Sequence, residues 1–474
     1  MKTNLVGDKK FFGEIWTLAV PVAIQNLLIT SASMVDTMML GSVGETAVAA
    51  VGMCAQFSSL LFAAFFGFAH GGTIFFSQFW GARDEHGIRK AYGLALSCMM
   101  VVGILFAGFA IFAPELIMRI YTDKPSVQAL GIPYLRIVGF SLPLQVLAFA
   151  MSALLRSTER VKIPLYASIA SLITNTLINW LLIHGMFGLP QMGVRGAAIG
   201  TLAAAVVNVA VLYFFCFRDK NRFILAVREH YGWSKAFIKQ YFAKSMFIVC
   251  NELFIGIANL VINVILGRQA ESGLAALAVF RVIEGLVFSF FRGLTTASGV
   301  IVGKQIGAGD HLEGYRDAKR FVLLTPLVTL AVCLLIVLFR APLLSVFGLG
   351  ADAMAYGMEM LLFYVIAAPV RLCNWISNDN MRAGGDPVFG TVIEITGIYC
   401  ITIPIMAMAG LVWHWPFIFV FMLMYLDDFI RVGINIWYIN SGRWIRPVTE
   451  DGRKTIFAFR ALMQEHGHRF SAKL

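Results

Sequence analysis

The sequence predicts an all-α polytopic membrane protein, with twelve transmembrane helices in two six-helix lobes, and three observations lead there. Of its 474 residues 59% are hydrophobic and only 14% charged, whereas a water-soluble domain carries about a quarter charged residues. The apolar runs reach the roughly 20 residues that a helix needs to cross about 30 Å of hydrocarbon, and they lack the alternation of barrel strands. The chain also repeats itself at an offset of 226 residues. Gly41 falls on Gly267, Ala49 and Ala50 on Ala275 and Ala276, Gly67 on Gly293, Gly81-Ala82 on Gly307-Ala308 and Asp84 on Asp310, and downstream Pro143 meets Pro369 and Arg156 meets Arg382.

In chain order the spans are expected near 15-40, 48-79, 92-112, 134-155, 163-183, 197-217, 241-266, 275-303, 321-339, 358-380, 388-409 and 416-439. The first carries a single carboxylate, Asp36, in the run S-M-V-D-T-M-M-L-G from Ser33 to Gly41. An ionised group inside a span costs roughly 2.5–3.5 kcal/mol at the bilayer centre, so it must face protein or water. No short apolar leader with a cleavage site precedes this span, which is expected to stay in the mature protein. Between spans 6 and 7 the polar stretch R-D-K-N-R-F-I-L-A-V-R-E-H-Y-G-W-S-K reads as a surface connector. It divides the chain into an N-lobe (1-220), a cytoplasmic linker (221-240), a C-lobe (241-445) and a cytoplasmic tail (446-474). Six spans per copy bring both copies in from the same side, related by an axis along the membrane normal, an arrangement found in transporters.

Orientation follows from Lys and Arg, which stay on the cytoplasmic side in short loops. One side collects Lys2, Lys9, Lys10, Arg83, Arg89, Lys90, Arg156, Arg160, Lys162, the connector, Lys304, Arg316, Lys319, Arg320, Arg382 and the tail from Arg443 to Lys473. The other has Arg119, Lys124, Arg195, Arg268, Arg340 and Arg136. Both termini are therefore expected in the cytoplasm of a multi-pass cell-membrane protein. The net charge of +11 is mostly this topology signal and attraction to anionic headgroups, not a nucleic-acid surface. The partners expected are the lipid bilayer and a small-molecule substrate, with the chain a monomer. Seven scattered cysteines read as small buried residues rather than disulfides or a metal site. His70, His184 and His414 are isolated, and Pro21, Pro143 and Pro369 suit kinks.

The residues S-M-V-D-T-M-M-L-G-S-V-G, Q-F-W-G-A-R-D and its echo K-Q-I-G-A-G-D, N-T-L-I-N-W-L-L-I-H-G, G-V-R-G-A-A-I-G-T, M-R-A-G-G-D-P and S-G-R-W-I-R together resemble the multidrug and toxic compound extrusion (MATE) family over nearly the whole chain. The resemblance implies two lobes that rock about a central cavity, and export of small organic compounds in exchange for Na+ or H+, with no other cofactor. It also implies that Asp36 is the cation or proton site of the N-lobe, with Asn175, Asn179 and Thr201 as partners. Asn175 and Asn179 share a helix face at i, i+4, where their amide oxygens would turn toward Asp36. One carboxylate, two amide carbonyls and a hydroxyl suit a hard cation such as Na+. The family's proton-coupled branch has a second aspartate where this chain has Asn179; two close carboxylates share a proton readily, so the asparagine favours Na+. A lone Asp36 can still titrate, and the asparagines equally suit helix-to-helix hydrogen bonding.

The C-lobe reads differently. Glu252, Arg281, Glu284, Arg292, Arg371 and Glu394 fall on Asn26, Ala55, Ser58, Phe66, Gln145 and Ser168 of the first copy, none of them charged. Buried ions need partners, so Glu252, Glu284, Arg281 and Arg371 are expected to pair. Glu252 matches a glutamate of a C-lobe ion site in the sodium-coupled branch, but Arg371 stands where that site has an aspartate. A guanidinium repels Na+ and suits a carboxylate or phosphate, leaving structural pairing or an anionic or zwitterionic substrate as readings of the arginines. Gln56 and Arg292 are candidate cavity residues, and Asp379 is expected to be hydrated near a span end. Two rivals remain: a flippase of an anionic or lipid-linked metabolite in the same superfamily, and a membrane enzyme using Asp427 and Asp428. Against the enzyme, Arg431 replaces the third acid of a D-D-x-x-D site; against ATP-driven transport, the chain has no G-x-x-x-x-G-K-[ST] loop.

Overall fold

With no water in the bilayer core, each spanning segment must satisfy its own backbone polar groups, and these sequences do so as helices. The computed structural model describes residues 9–465, so that Lys2 and the tail charges Arg469 and Lys473 lie outside the described residues. The helices are α1 (Lys9–Gly41), α2 (Glu45–Gly81), α3 (Glu85–Phe112), α4 (Pro114–Tyr121), α5 (Pro125–Ser157), α6 (Lys162–His184), α7 (Val194–Arg218), α8 (Arg222–Leu225) and α9 (Lys235–Gly267). They continue as α10 (Glu271–Ala308), α11 (His311–Leu338), α12 (Arg340–Ser345), α13 (Ala351–Ala383), α14 (Pro387–Gly397), α15 (Ile403–Ala407), α16 (Phe417–Leu423), α17 (Leu426–Ser441) and α18 (Glu450–Glu465).

Among the described residues eleven helices are long and apolar enough to span, the eleventh being Pro387–Val412 with two π-helical turns inside it. The expected twelfth, 416-439, is instead the broken pair α16 and α17. The break at Met424 and Tyr425 comes just before Asp427, Asp428 and Arg431. The carbonyl of Met424 accepts a hydrogen bond from Arg371 Nη2 at 3.3 Å, so the guanidinium satisfies backbone exposed by the break.

The acids of the two echoed motifs acquire a plain role. Asp84 accepts from Gly87 N at 2.8 Å and Asp310 from Glu313 N at 3.3 Å, each capping the helix that follows. The 221-240 segment is built rather than loose: Asn221 caps α8, His230 Nε2 lies 2.9 Å from Phe223 O, and Trp233 Nε1 donates to Lys90 O. Burial holds the His230 imidazole below its ordinary pKa. The cysteines correct the expectation of uniform burial, since Cys98 and Cys250 are half-buried and Cys400 is exposed. A thiol is apolar enough to sit on a lipid-facing surface.

The chain divides into two compact units. One holds Val20–Phe76 and Asp84–Val249; the other holds the described residues up to Ala19, Ser77–Arg83 and those from Cys250 onward. In the first, α6 and α7 pack closely through glycines: a Cβ on Gly196 would lie 2.8 Å from Leu182 C, and one on Gly200 would lie 1.9 Å from Asn179 Oδ1. In the second, the end of α2 lies against α10 and α13. Gln78 donates to Ala383 O at 2.7 Å and accepts from Val448 N at 2.7 Å.

That contact makes a prediction. A Cβ on Gly307 would lie 1.9 Å from Gln78 O, and one on Gly81 would lie 1.8 Å from Lys304 O, both backbone atoms that cannot swing aside. Overpacking usually costs about 1–3 kcal/mol and more where nothing yields, so Gly307→Ala should cost at least about 3 kcal/mol. Thermal unfolding of the detergent-solubilised protein measures this; an unchanged midpoint would refute the close approach.

Candidate functional site

Two polar constellations are buried in the spans, one in each unit. In the first unit α1 supplies Asp36 and α6 supplies Asn175 and Asn179, one turn apart on the face turned to α1. Asn179 Nδ2 donates to Asp36 Oδ1 at 2.7 Å and to Asn175 Oδ1 at 3.3 Å. The amide thus presents its nitrogen to the carboxylate, not its oxygen as the sequence reading expects: an ionised carboxylate only accepts hydrogen bonds, and the amide NH2 is the donor. Asn179 Oδ1 is left buried with no hydrogen-bond partner.

Thr201 makes a hydrogen bond to Ala197 O at 3.0 Å rather than to Asp36. Near both is Tyr134 of α5, whose hydroxyl lies against Thr201 and within reach of the Asp36 charge. Sequence reasoning missed this tyrosine. Its nearest signal is its place at the start of a proline-flanked span, which names no partner. Tyr134 also joins an apolar cluster of Leu40, Ala47, Ile183, Val194 and Ala197, which borders the polar group with hydrocarbon side chains. Gln56 is exposed on α2.

In the second unit a chain of ion pairs runs through α10, α13, α14 and α17. Glu284 meets Arg281 and Arg371, each at 3.3 Å, and accepts from Tyr425 Oη at 3.0 Å. Arg371 reaches Asp428 at 2.8 Å and lies 3.9 Å over the Tyr425 ring. Arg431 reaches Asp428 at 2.7 Å, Asp427 at 2.9 Å and Glu394 at 3.2 Å. Asn374 donates to Asp428 and Thr402 to Asp427, at 3.1 and 2.8 Å.

The expected pairing of Glu284, Arg281 and Arg371 is therefore present, and Glu252 stands outside it. Glu252 has no ion-pair partner among the described residues; the charges that act on it are those of Arg382, Glu394, Arg292 and Asp379. Asp379 is not simply hydrated, since it pairs with Arg382 at 3.7 Å and bonds to Thr295. Arg292 is exposed on α10. Asp427 and Asp428, the candidate acids of the rival enzyme reading, and Arg431, which counted against it, are consumed by mutual pairing. The i, i+3 and i, i+4 spacing of Arg431 from the two aspartates was the available signal.

The two sites show how the copies diverged. Gln25 bonds to Ser168 at 3.0 Å, and the equivalent pair 226 residues on is Asn251 with Glu394 at 3.2 Å. The same contact survives in both copies, neutral in one and charged in the other. Conversely, Asp36 and Asn179 fall on Ile262 and Ile405, so the second copy has no version of the Asp36 site.

The family model described as MatE matches the chain twice, over residues 21–181 and 248–408. Among curated proteins the chain is similar to a probable multidrug resistance protein, YoeA, of Bacillus subtilis, with 25% identity over 85% of this chain and 88% of the relative. It is likewise similar to the multidrug resistance protein NorM of Vibrio cholerae, with 26% identity over 76% of this chain and 78% of the relative. Among solved structures, one is a MOP superfamily transporter of Pyrococcus furiosus whose binding pocket is described as having reverse polarity. It superimposes with a TM-score of 0.80 at 18% identity, covering 96% of this chain and 98% of that one. A MATE protein in complex with MaL6 superimposes with a TM-score of 0.81 at 17% identity, covering 96% and 98%. With the repeat matched in both halves, the chain is a multi-pass membrane protein that belongs to the MATE family of transporters, and not an enzyme.

Proposed function

We propose that this protein is a secondary active antiporter that exports small organic compounds in exchange for Na+ bound at Asp36. Its lobes, near 1-220 and 241-445, rock about a cleft, and both termini face the cytoplasm. The observation that carries the ion assignment is the orphaned Asn179 Oδ1, buried without a hydrogen-bond partner among the described residues, beside the Asp36 carboxylate and the amide oxygen of Asn175. A half-turn of the Asn179 amide brings that oxygen to the carboxylate side, and the set becomes all oxygen, as a hard cation requires. Proton coupling is the second reading, favoured by the Asn179 Nδ2 bond to Asp36 Oδ1, which leaves the other carboxylate oxygen free to take a proton.

Efflux of a fluorescent substrate such as ethidium from vesicles with an imposed Na+ or H+ gradient separates the readings. The expected result is export driven by Na+ at constant pH and little export on a proton gradient without Na+; the reverse pattern would replace Na+ by H+. Asn179→Asp supplies the missing second acid, and two neighbouring carboxylates hold a proton between them. It is expected to lower the Na+ dependence and to make export sensitive to the pH gradient. An unaltered ion dependence would show that Asn179 is not part of the site.

A further inference from the structure

The helix α10 carries two stripes of opposite character, one exposed and the other half-buried to exposed. Ala275, Ala278, Val282, Leu286 and Phe290 form one and are wholly apolar, as a lipid-facing surface should be. The other runs through Arg281, Phe288 and Arg292, the two arginines lying eleven residues apart on one side of the helix, about 16 Å along its axis. Exposed guanidinium groups within a span cannot face hydrocarbon. This stripe therefore faces water or a ligand.

Beside it, Trp375 of α13 stacks on Phe288 with ring centroids 4.7 Å apart and planes 20° from parallel, both rings half-buried. One turn from Trp375 stands Arg371, and one turn from Phe288 stands Arg292. Along their helices the stacked rings thus lie one turn from an arginine on either side. The charge count of the buried network conceals the polarity of this surface. Its acids are inside, with side-chain exposures of 4% for Glu284 and 2% for Asp428, whereas Arg281 is 36% exposed. Arg281 is also loosely held, by one ion pair at 3.3 Å and a contact to Met424 Sδ at 3.6 Å. Arg292 has no ion pair among the described residues and is more exposed than Glu252 and Asp379, the acids near it.

We infer that this face of the second unit is a binding surface for flat organic anions, with the ring laid against Phe288 and Trp375 and the carboxylate or phosphate taken by the fork of Arg281 or by Arg292. A planar guanidinium matches such oxyanions with two parallel hydrogen bonds. The inference names a substrate class and so rests on the export reading for the ligand's fate, but not for its binding.

Fluorescein, an aromatic dianion, and ethidium, an aromatic cation, test it on the full chain purified in detergent, with no gradient, by fluorescence anisotropy. Wild type is expected to bind fluorescein, and Arg281→Gln and Phe288→Ala to weaken that binding about tenfold, with ethidium binding unchanged or tighter. Arg281→Lys keeps the ion pair to Glu284 and loses the fork, so a smaller loss is expected. Arg292→Gln removes an exposed, unpaired group; it serves where Arg281→Gln does not fold, with an expected loss of about threefold. Absence of fluorescein binding by wild type, unchanged binding in these variants, or an equal loss for both dyes overturns the inference. Retained fluorescein binding with no export on either gradient would instead overturn the export reading and leave this one standing.

Discussion

Replacing Asp36 by Asn is expected to reduce gradient-driven export at least tenfold while leaving the protein folded and still able to bind its substrate. The substitution keeps the shape of the side chain and removes the one charge of the site. With no second acid in the set, nothing remains there that changes charge during a cycle, whichever ion is carried. Its one hydrogen bond to a side chain among the described residues, from Asn179 Nδ2 at 2.7 Å, can be made to the new amide oxygen. Stability should therefore change little, since a half-buried charge taken out of a span removes a desolvation cost as well as an interaction. The measurement is ethidium efflux from vesicles under each gradient, with binding and thermal unfolding followed on the same preparation. Full-rate export by Asp36→Asn would show that coupling resides elsewhere.

The largest effect on stability is expected from Arg431→Met. Arg431 is 5% exposed and touches Glu394, Asp427 and Asp428 at once. Without it, Asp428 keeps Arg371 and Asn374, but Asp427 falls back on Thr402 and Glu394 on the amides of Asn251 and Asn378. Removing one partner of a buried ion pair costs about 3–5 kcal/mol, because the remaining charge stays desolvated. Against a total of about 5–15 kcal/mol this is most or much of the fold's margin. Little soluble protein, or a large fall in its unfolding midpoint, is the expected result. Arg431→Lys should recover only part, since an ammonium cannot bridge three carboxylates as a planar fork does. Combining Arg431→Met with Asp427→Asn and Glu394→Gln should recover more, because it removes the stranded charges too. A wild-type midpoint for Arg431→Met alone would mean that the network does not hold the helices.

Much of the Asp36 group was legible because it lies in local patterns. The carboxylate stands alone in an apolar run, and two asparagines one turn apart share a face. Their meeting at 2.7 Å joins helices whose residues are 143 positions apart. Tyr134 was not legible, since an aromatic residue in a span usually packs and its hydroxyl gives no sign of where it points. Asp427 and Asp428 were read as an acid pair although Arg431, one turn on along the same helix, partners both; the second counter-ion of Asp428, Arg371, comes from another helix and left no local sign.

By itself the sequence determined the membrane helices up to the last, the duplicated unit and the isolated acid of the first copy. Apolar length, repeat offset and an isolated charge are all properties of neighbouring positions, and the bilayer leaves an apolar run no choice but helix. Only the tertiary structure decided that Asp428, Asp427, Arg431 and Glu394 join the expected Glu284, Arg281 and Arg371 while Glu252 stays outside, where the final span breaks, and which guanidinium groups remain exposed. Those outcomes depend on side chains from α10, α13, α14 and α17 meeting in a medium of low dielectric, where an ion is tolerated only beside its partner, and no spacing along the chain specifies that meeting.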